Sequence, residues 1–155
     1  MLDAKQYDAA RERRRRIWIV VIIVVLLVGG WVAYHLRYYP ERRAVAQFFG
    51  AIQRHDYETA YGIWFHDPAW RQHPNQFVNY PYNEFYRDWG PGGEWGLVKS
   101  YHVDCSLGPG NGVIVQVTVN QRADHAYMFV DKANKTLTFA PNEIQCGNWF
   151  GWLTE

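Results

Sequence analysis

Hydrophobic and polar positions divide the chain into three stretches. Residues 1–16 are mostly polar and close on the basic run RERRRR, residues 17–36 are apolar, and the remainder mixes the two at helical and strand periods. From Ile17 to Leu36 there are 20 residues without a carboxylate, lysine or arginine, the length of helix that crosses a hydrocarbon core of about 30 Å. Beyond Pro40, which suits a first helical turn, Val45, Phe48, Phe49 and Ile52 recur at i, i+3, i+4 and i+7. That spacing predicts a helix of about fourteen residues with one apolar face.

Asp56 then stands where an N-cap would open a second short helix, with Ala60, Tyr61 and Trp64 as its inward stripe. The stretch from His66 to Pro81 is rich in proline, asparagine and aromatics and reads as loop. A third short helix is expected from Tyr82 to Trp89, before the Gly-Pro-Gly-Gly break at positions 90 to 93. After the break the period changes to two. Tyr101, Val103, Cys105 and Leu107 alternate with Ser100, His102, Asp104 and Ser106, predicting a half-buried strand with Cys105 on the apolar side. Val113, Val115, Val117 and Val119 alternate with Ile114, Gln116, Thr118 and Asn120 in a second strand of the same kind. A third strand from Ala126 to Val130 and a fourth from Thr136 to Ala140 flank the polar turn Asp131 to Lys135. The expected fold class is α+β, one transmembrane helix followed by helices packed on an antiparallel sheet.

Charge gives the apolar stretch a direction. Arg11, Arg13, Arg14, Arg15 and Arg16, with Lys5, precede it, against Arg37, Arg42 and Arg43 after it, and the more basic flank stays in the cytoplasm. Trp18 on one side and Trp31, Tyr34, Tyr38 and Tyr39 on the other are placed as interfacial rings, with Ile17, Leu27 and Leu36 marking the apolar extent. A buried core helix would show an amphipathic stripe, which is missing here. A cleaved signal peptide is the stronger competitor, because Ile17 to Val28 followed by Gly29 and Gly30 imitates its three-part pattern. No small-x-small alanine site follows, and the apolar run continues through Trp31, Val32 and Ala33. The expected layout is a cytoplasmic tail over 1–16, an uncleaved transmembrane helix over 17–36, and a periplasmic or extracellular domain over 37–155.

The stretch AVAQFFGAIQRHDYETAYGIW, where one helix ends in an Asp-Tyr pair and the next begins at once, and WGLVKSYHV, where a glycine enters the first long strand, resemble the NTF2-like superfamily. With the two hairpins they cover most of residues 41 to 145. The resemblance implies a cone-shaped domain, N-terminal helices packed into a curved antiparallel sheet. Some members are steroid isomerases and dehydratases that move protons on an apolar substrate inside the cone. The usual final strand is altered here to DKANKTLTF, and a tail GNWFGWLTE is added. A cytoplasmic tail, one helix and an external NTF2-like domain is also the layout of an inner-membrane scaffold subunit of bacterial type IV secretion, a similarity of architecture.

Composition narrows the chemistry. With 16 Lys plus Arg against 15 Asp plus Glu, the chain lacks the electrostatic footprint of a nucleic-acid binder. The two cysteines, Cys105 and Cys146, both fall on the external side, where they are free to form a bridge; two buried thiols are the alternative. They have no histidine at ligand spacing, so no metal site is expected, and no motif indicates a cofactor. His102 and Asp104 share a strand face and would suit a hydrogen-bonded pair, although Ser100 and Ser106 on that face point to solvent. His66 and Asp67 beside Pro68 read as turn chemistry, and His66 with His73 makes a poor metal pair.

No phosphate loop, nucleophile motif or zinc-protease helix is present. Aromatic residues are the one surplus, 17% of the chain. Most must serve the core, while Trp70, Trp149 and Trp152 are candidates for an exposed contact surface along with His102 and Asp104. These features favour a non-catalytic binding or assembly module whose partners are the lipid bilayer and a membrane or envelope protein or a second copy. The alternative is an isomerase- or dehydratase-type enzyme or carrier with a small apolar ligand in the cone.

Overall fold

The computed structural model describes residues 9–108 and 110–146. It divides into two compact units, the first running through Arg37 and the second beginning at Tyr38. Among the described residues the first unit holds one helix, α1 (Ala9–Leu36). Every residue from Ile17 to Leu36 is exposed in the isolated chain, including Trp18, Leu27 and Trp31. An apolar helix with no covered face suits a lipid surround. It is a single candidate membrane-spanning helix near the N-terminus. Arg16 pairs with Glu12 one turn back at 2.7 Å, and Arg37 lies over the Tyr34 ring at 4.4 Å.

The second unit is α+β. Helices α2 (Tyr39–Gln53), α3 (Tyr57–Trp64) and α4 (Tyr82–Trp89) precede strands β1 (Tyr101–Leu107), β2 (Gly112–Val119), β3 (His125–Asp131) and β4 (Leu137–Phe139). The strands form one open antiparallel sheet in the order β1-β2-β3-β4. Pro40 occupies the first turn of α2, and Val45, Phe48, Phe49 and Ile52 are all fully buried on its inner face. Asp56 caps α3, its carboxylate accepting the Thr59 amide proton at 3.1 Å. The Thr59 side chain first, and this amide with it, hold the Asp56 carboxyl below its ordinary range. The loop between α3 and α4 contains two short 3-10 turns, Trp70–Gln72 and Pro74–Gln76.

Two strand expectations need correction. Val103 pairs with Val117 and Cys105 with Gln116, so Asp104 is an extra residue in β1, a β-bulge. A one-residue slip changes the face on which each later side chain stands. Tyr101 and Val103 therefore pack on the core, whereas Cys105 and Leu107 turn to the opposite face with Gln116 and Ile114. Cys105 is not on the core side. Nor is β2 half-buried, because Ile114 and Gln116 on its second face are 3% and 6% exposed.

Residues 140–146 account for that second burial. Cys105, Gln116 and Tyr127 lie in one row across β1, β2 and β3. The Ala140 amide donates to the Tyr127 carbonyl at 3.0 Å, and Cys146 is bonded to Cys105 with their Cα atoms 5.8 Å apart. The segment between them is thus a strap that crosses β2 and is locked at its far end. Ile144 is buried, although it stands apart from the main core, as does Ile114. A bridge between cysteines 41 positions apart restricts the unfolded chain by roughly 4 kcal/mol.

Replacing both cysteines by serine is expected to lower unfolding stability by about 3 to 4 kcal/mol. Denaturant unfolding with and without dithiothreitol provides the check: reductant should weaken the wild type to the level of the double variant and leave the variant unchanged. Equal midpoints for all four samples would show that the strap needs no lock.

Candidate functional site

The helix-covered side of the sheet is filled with rings. Phe48 meets Trp89 edge-on at 4.9 Å between centroids and Trp64 at 5.5 Å, and also contacts Phe49 and Phe85. Trp89 stacks on Phe139 of β4 at 5.9 Å, which joins the helices to the last strand. Phe48, Phe49, Phe85, Tyr61 and Trp89 are each no more than 2% exposed. Edge-to-face packing at these distances fills the interior at the density of an organic solid.

Open volume lies instead on the outer side of the helices. A cleft of about 850 Å³ runs between α2 and α3 and is closed at one end by the loop after α3. Its apolar lining includes Pro40 and Ala44 from α2, Ile63 from α3, and Pro68 and Trp70 from the loop. Gly62 contributes bare backbone, and a Cβ there would press on the Asp67 carbonyl at 3.1 Å. This size is in the range of ligand pockets. A second concavity of about 570 Å³ shares Arg43, Gln47 and Ile63 with it and continues toward Gly50, Arg54 and Tyr101.

Asp67 builds the loop wall. One carboxylate oxygen accepts the Ala69 amide proton at 2.8 Å, and the other accepts from His73 Nδ1 at 2.8 Å. The His73 bond first, and the amide with it, hold the Asp67 carboxyl below its ordinary range. Trp70 is set by this turn and is half-buried, edge-on to Tyr61 at 4.7 Å and stacked on Tyr82 at 5.3 Å. His66 is exposed at the rim, and the turn reading of His66 and Asp67 agrees with the structure.

Charges around the cleft are paired with one exception. Arg71 lies over the Trp70 ring at 5.4 Å and forms an ion pair with Glu58. Lys135, from the turn between β3 and β4, reaches Glu41 at 2.6 Å. Glu41 is only 4% exposed and its second oxygen has no partner among the described residues, so the lysine is held in place by a buried charge. Arg43 is exposed, lines both concavities, and has no ion pair or side-chain hydrogen bond among the described residues.

A second polar cluster occupies the strap face of the sheet. Asp104, at the bulge, accepts from the Thr118 hydroxyl at 2.8 Å and from Gln116 at 3.2 Å. His125 Nδ1 donates to the Thr118 oxygen at 3.0 Å and stands 3.5 Å from the Asp104 carboxylate. The expected His102–Asp104 pair does not form: the Asp104 carboxylate is taken up by Gln116 and Thr118 of β2, and His102, paired with Thr118 on the same face, remains exposed. These bonds tie three strands together.

Of the other candidate contact residues, Trp70 lines the cleft, while Trp149 and Trp152 lie outside the described residues. No group of three or more His, Cys, Asp or Glu side chains is arranged for a metal among the described residues. Arg43, Glu41, Lys135 and the Asp67–His73 pair were not singled out by sequence as parts of one site. Only Asp67 carried a local signal, its position before Pro68 in a turn. No family model matches the chain, and neither does any curated protein or solved structure.

The Asp67–His73 bond makes the loop wall sensitive to acid. A carboxyl whose folded value is lowered adds stability that is complete above its unfolded value, about 3.9, and is lost as pH falls through the folded value. His73→Ala should raise the Asp67 midpoint toward that unfolded value, read by NMR titration of its carboxyl carbon. An unchanged midpoint would assign the lowering to the Ala69 amide alone.

Proposed function

We propose that the protein is a single-pass, membrane-tethered binding module with an NTF2-like domain outside the cytoplasm, and that it binds through the cleft between α2 and α3. The observation that carries this reading is the contrast between a ring-filled interior and an open, amphipathic outer cleft. A catalytic cone would need an apolar chamber with two convergent ionisable groups, and the rings of Phe48, Trp64 and Trp89 take that space. The helix order and the antiparallel meander support the NTF2-like comparison. The basic run at Arg11 to Arg16 supports an inside N-terminus, and the Cys105–Cys146 bridge fits an oxidising compartment.

Two measurements test the reading. In intact cells, an impermeant maleimide should label Cys105 and Cys146 after mild reduction and leave them unlabelled before it; labelling from the cytoplasmic side alone overturns the topology. A photoreactive amino acid at Gln72, on the cleft rim, should give light-dependent adducts in intact membranes, whether with lipid, another protein or a second copy. The same group at exposed Arg87 on α4 serves as the control. Equal yields at the two positions would remove the cleft from the proposal.

A further inference from the structure

The chemistry of the cleft is specific enough to name its ligand. Of the charges lining it, Arg71 is neutralised by Glu58, and Lys135 is neutralised by Glu41 beneath it. Arg43 remains as one exposed positive charge, beside Ala44, Ile63, Pro68 and Trp70. One uncompensated guanidinium next to an apolar trough is complementary to an amphiphile with one negative charge. A small inorganic anion would leave the apolar wall wet, and a neutral apolar ligand would leave Arg43 unanswered. Guanidinium also matches phosphate oxygens in a planar, two-pronged fashion.

The source of such an amphiphile follows from the chain itself. Tyr39 and Pro40 line the cleft, and they follow Leu36, the last residue of the apolar stretch, by three and four positions. Given the tethered reading, on which this inference rests, the cleft begins where the chain leaves the bilayer. Phospholipid is the amphiphile within reach of that point of the chain.

We propose that the α2–α3 cleft holds one anionic phospholipid of the membrane in which the chain is anchored, with its phosphate at Arg43 and part of an acyl chain against Ile63 and Trp70. The lipid would fill the cleft as a bound ligand, in addition to the lipid surrounding α1. Binding is non-covalent, and the headgroup charge discriminates between lipids.

The test uses the full chain in phosphatidylcholine vesicles containing a minor share of phosphatidylglycerol, with bromine on the acyl chains of one lipid or the other. Bromine quenches indole fluorescence on contact, and subtracting the quenching of Trp70→Phe isolates Trp70 from Trp18 and Trp31. Brominated phosphatidylglycerol is expected to quench Trp70 more than brominated phosphatidylcholine at the same mole fraction. Arg43→Gln should reduce that preference about fivefold, the equivalent of one cation at an anionic surface. Because Trp70 also packs on Tyr61 and Tyr82, a second readout avoids its substitution: phospholipid retained through detergent purification, counted by mass spectrometry in wild type and in Arg43→Gln. The wild type should retain one phosphatidylglycerol and the variant about a fifth as much.

Equal quenching by both lipids, no Trp70-dependent quenching, or equal retention by the variant would overturn the proposal. So would displacement by soluble glycerol phosphate, which would identify a free-phosphate site. Protein adducts from position 72 without any lipid preference would also overturn it while leaving the binding-module reading intact. The maleimide result separately decides whether that reading stands.

Discussion

The rest of the domain depends on one packing constraint, the wedge of rings between the helices and the sheet. Phe48 touches four aromatic neighbours from α2, α3 and α4, and Trp89 carries the stack to Phe139 on β4. Each ring fixes the angle of the next because edge-to-face contacts tolerate little sliding. The helices are therefore set against the sheet by their side chains, with hydrogen bonds from Tyr101 to the Ala46 carbonyl and from Gln53 to the Lys99 carbonyl closing the joint between α2 and the first strand region. A filled interior moves any recognition chemistry to the outside. The surface on offer there is the back of α2 and α3, where small residues and the Asp67 turn leave a trough.

The sheet is covered on both faces by different means. On one side burial alone suffices. On the other, a short strap is held by a backbone bond at Tyr127 and a covalent bond at Cys105. The bulge at Asp104 makes this possible, because without it Cys105 would point into the core. Instead the bulge brings the sulfur to the side that Asp104 already faces, where Thr118, Gln116 and His125 take up the carboxylate.

Elements governed by local periodicity were legible in the sequence. The apolar run, the stripe Val45-Phe48-Phe49-Ile52, the Asp56 cap, the short helix from Tyr82 to Trp89 and both hairpins are each written within a dozen or so neighbouring residues. The bulge was not legible, since the alternation from Tyr101 to Leu107 reads straight through Asp104 and only the partner strand reveals the extra residue. The two-sided burial of β2 was hidden for a related reason, because the strap reaches it from residues 140–146. The cleft was the least legible feature. Glu41 and Lys135 are 94 positions apart, and the isolation of Arg43 is evident only once the other charges have found their partners.

The strap also has a mechanical meaning. Cys105 and Cys146 close a covalent loop that contains β2, β3 and β4. Tension applied between the helix of the first unit and any load attached beyond Cys146 passes along β1 to Cys105 and then directly across the sulfur bridge. The 41 residue steps from Cys105 to Cys146 carry none of it, which withholds about 140 Å of chain from extension at roughly 3.4 Å per residue. A domain connected in this way can be pulled from its C-terminal side without its inner strands being drawn out, and reduction of a single bond would make that hidden length available.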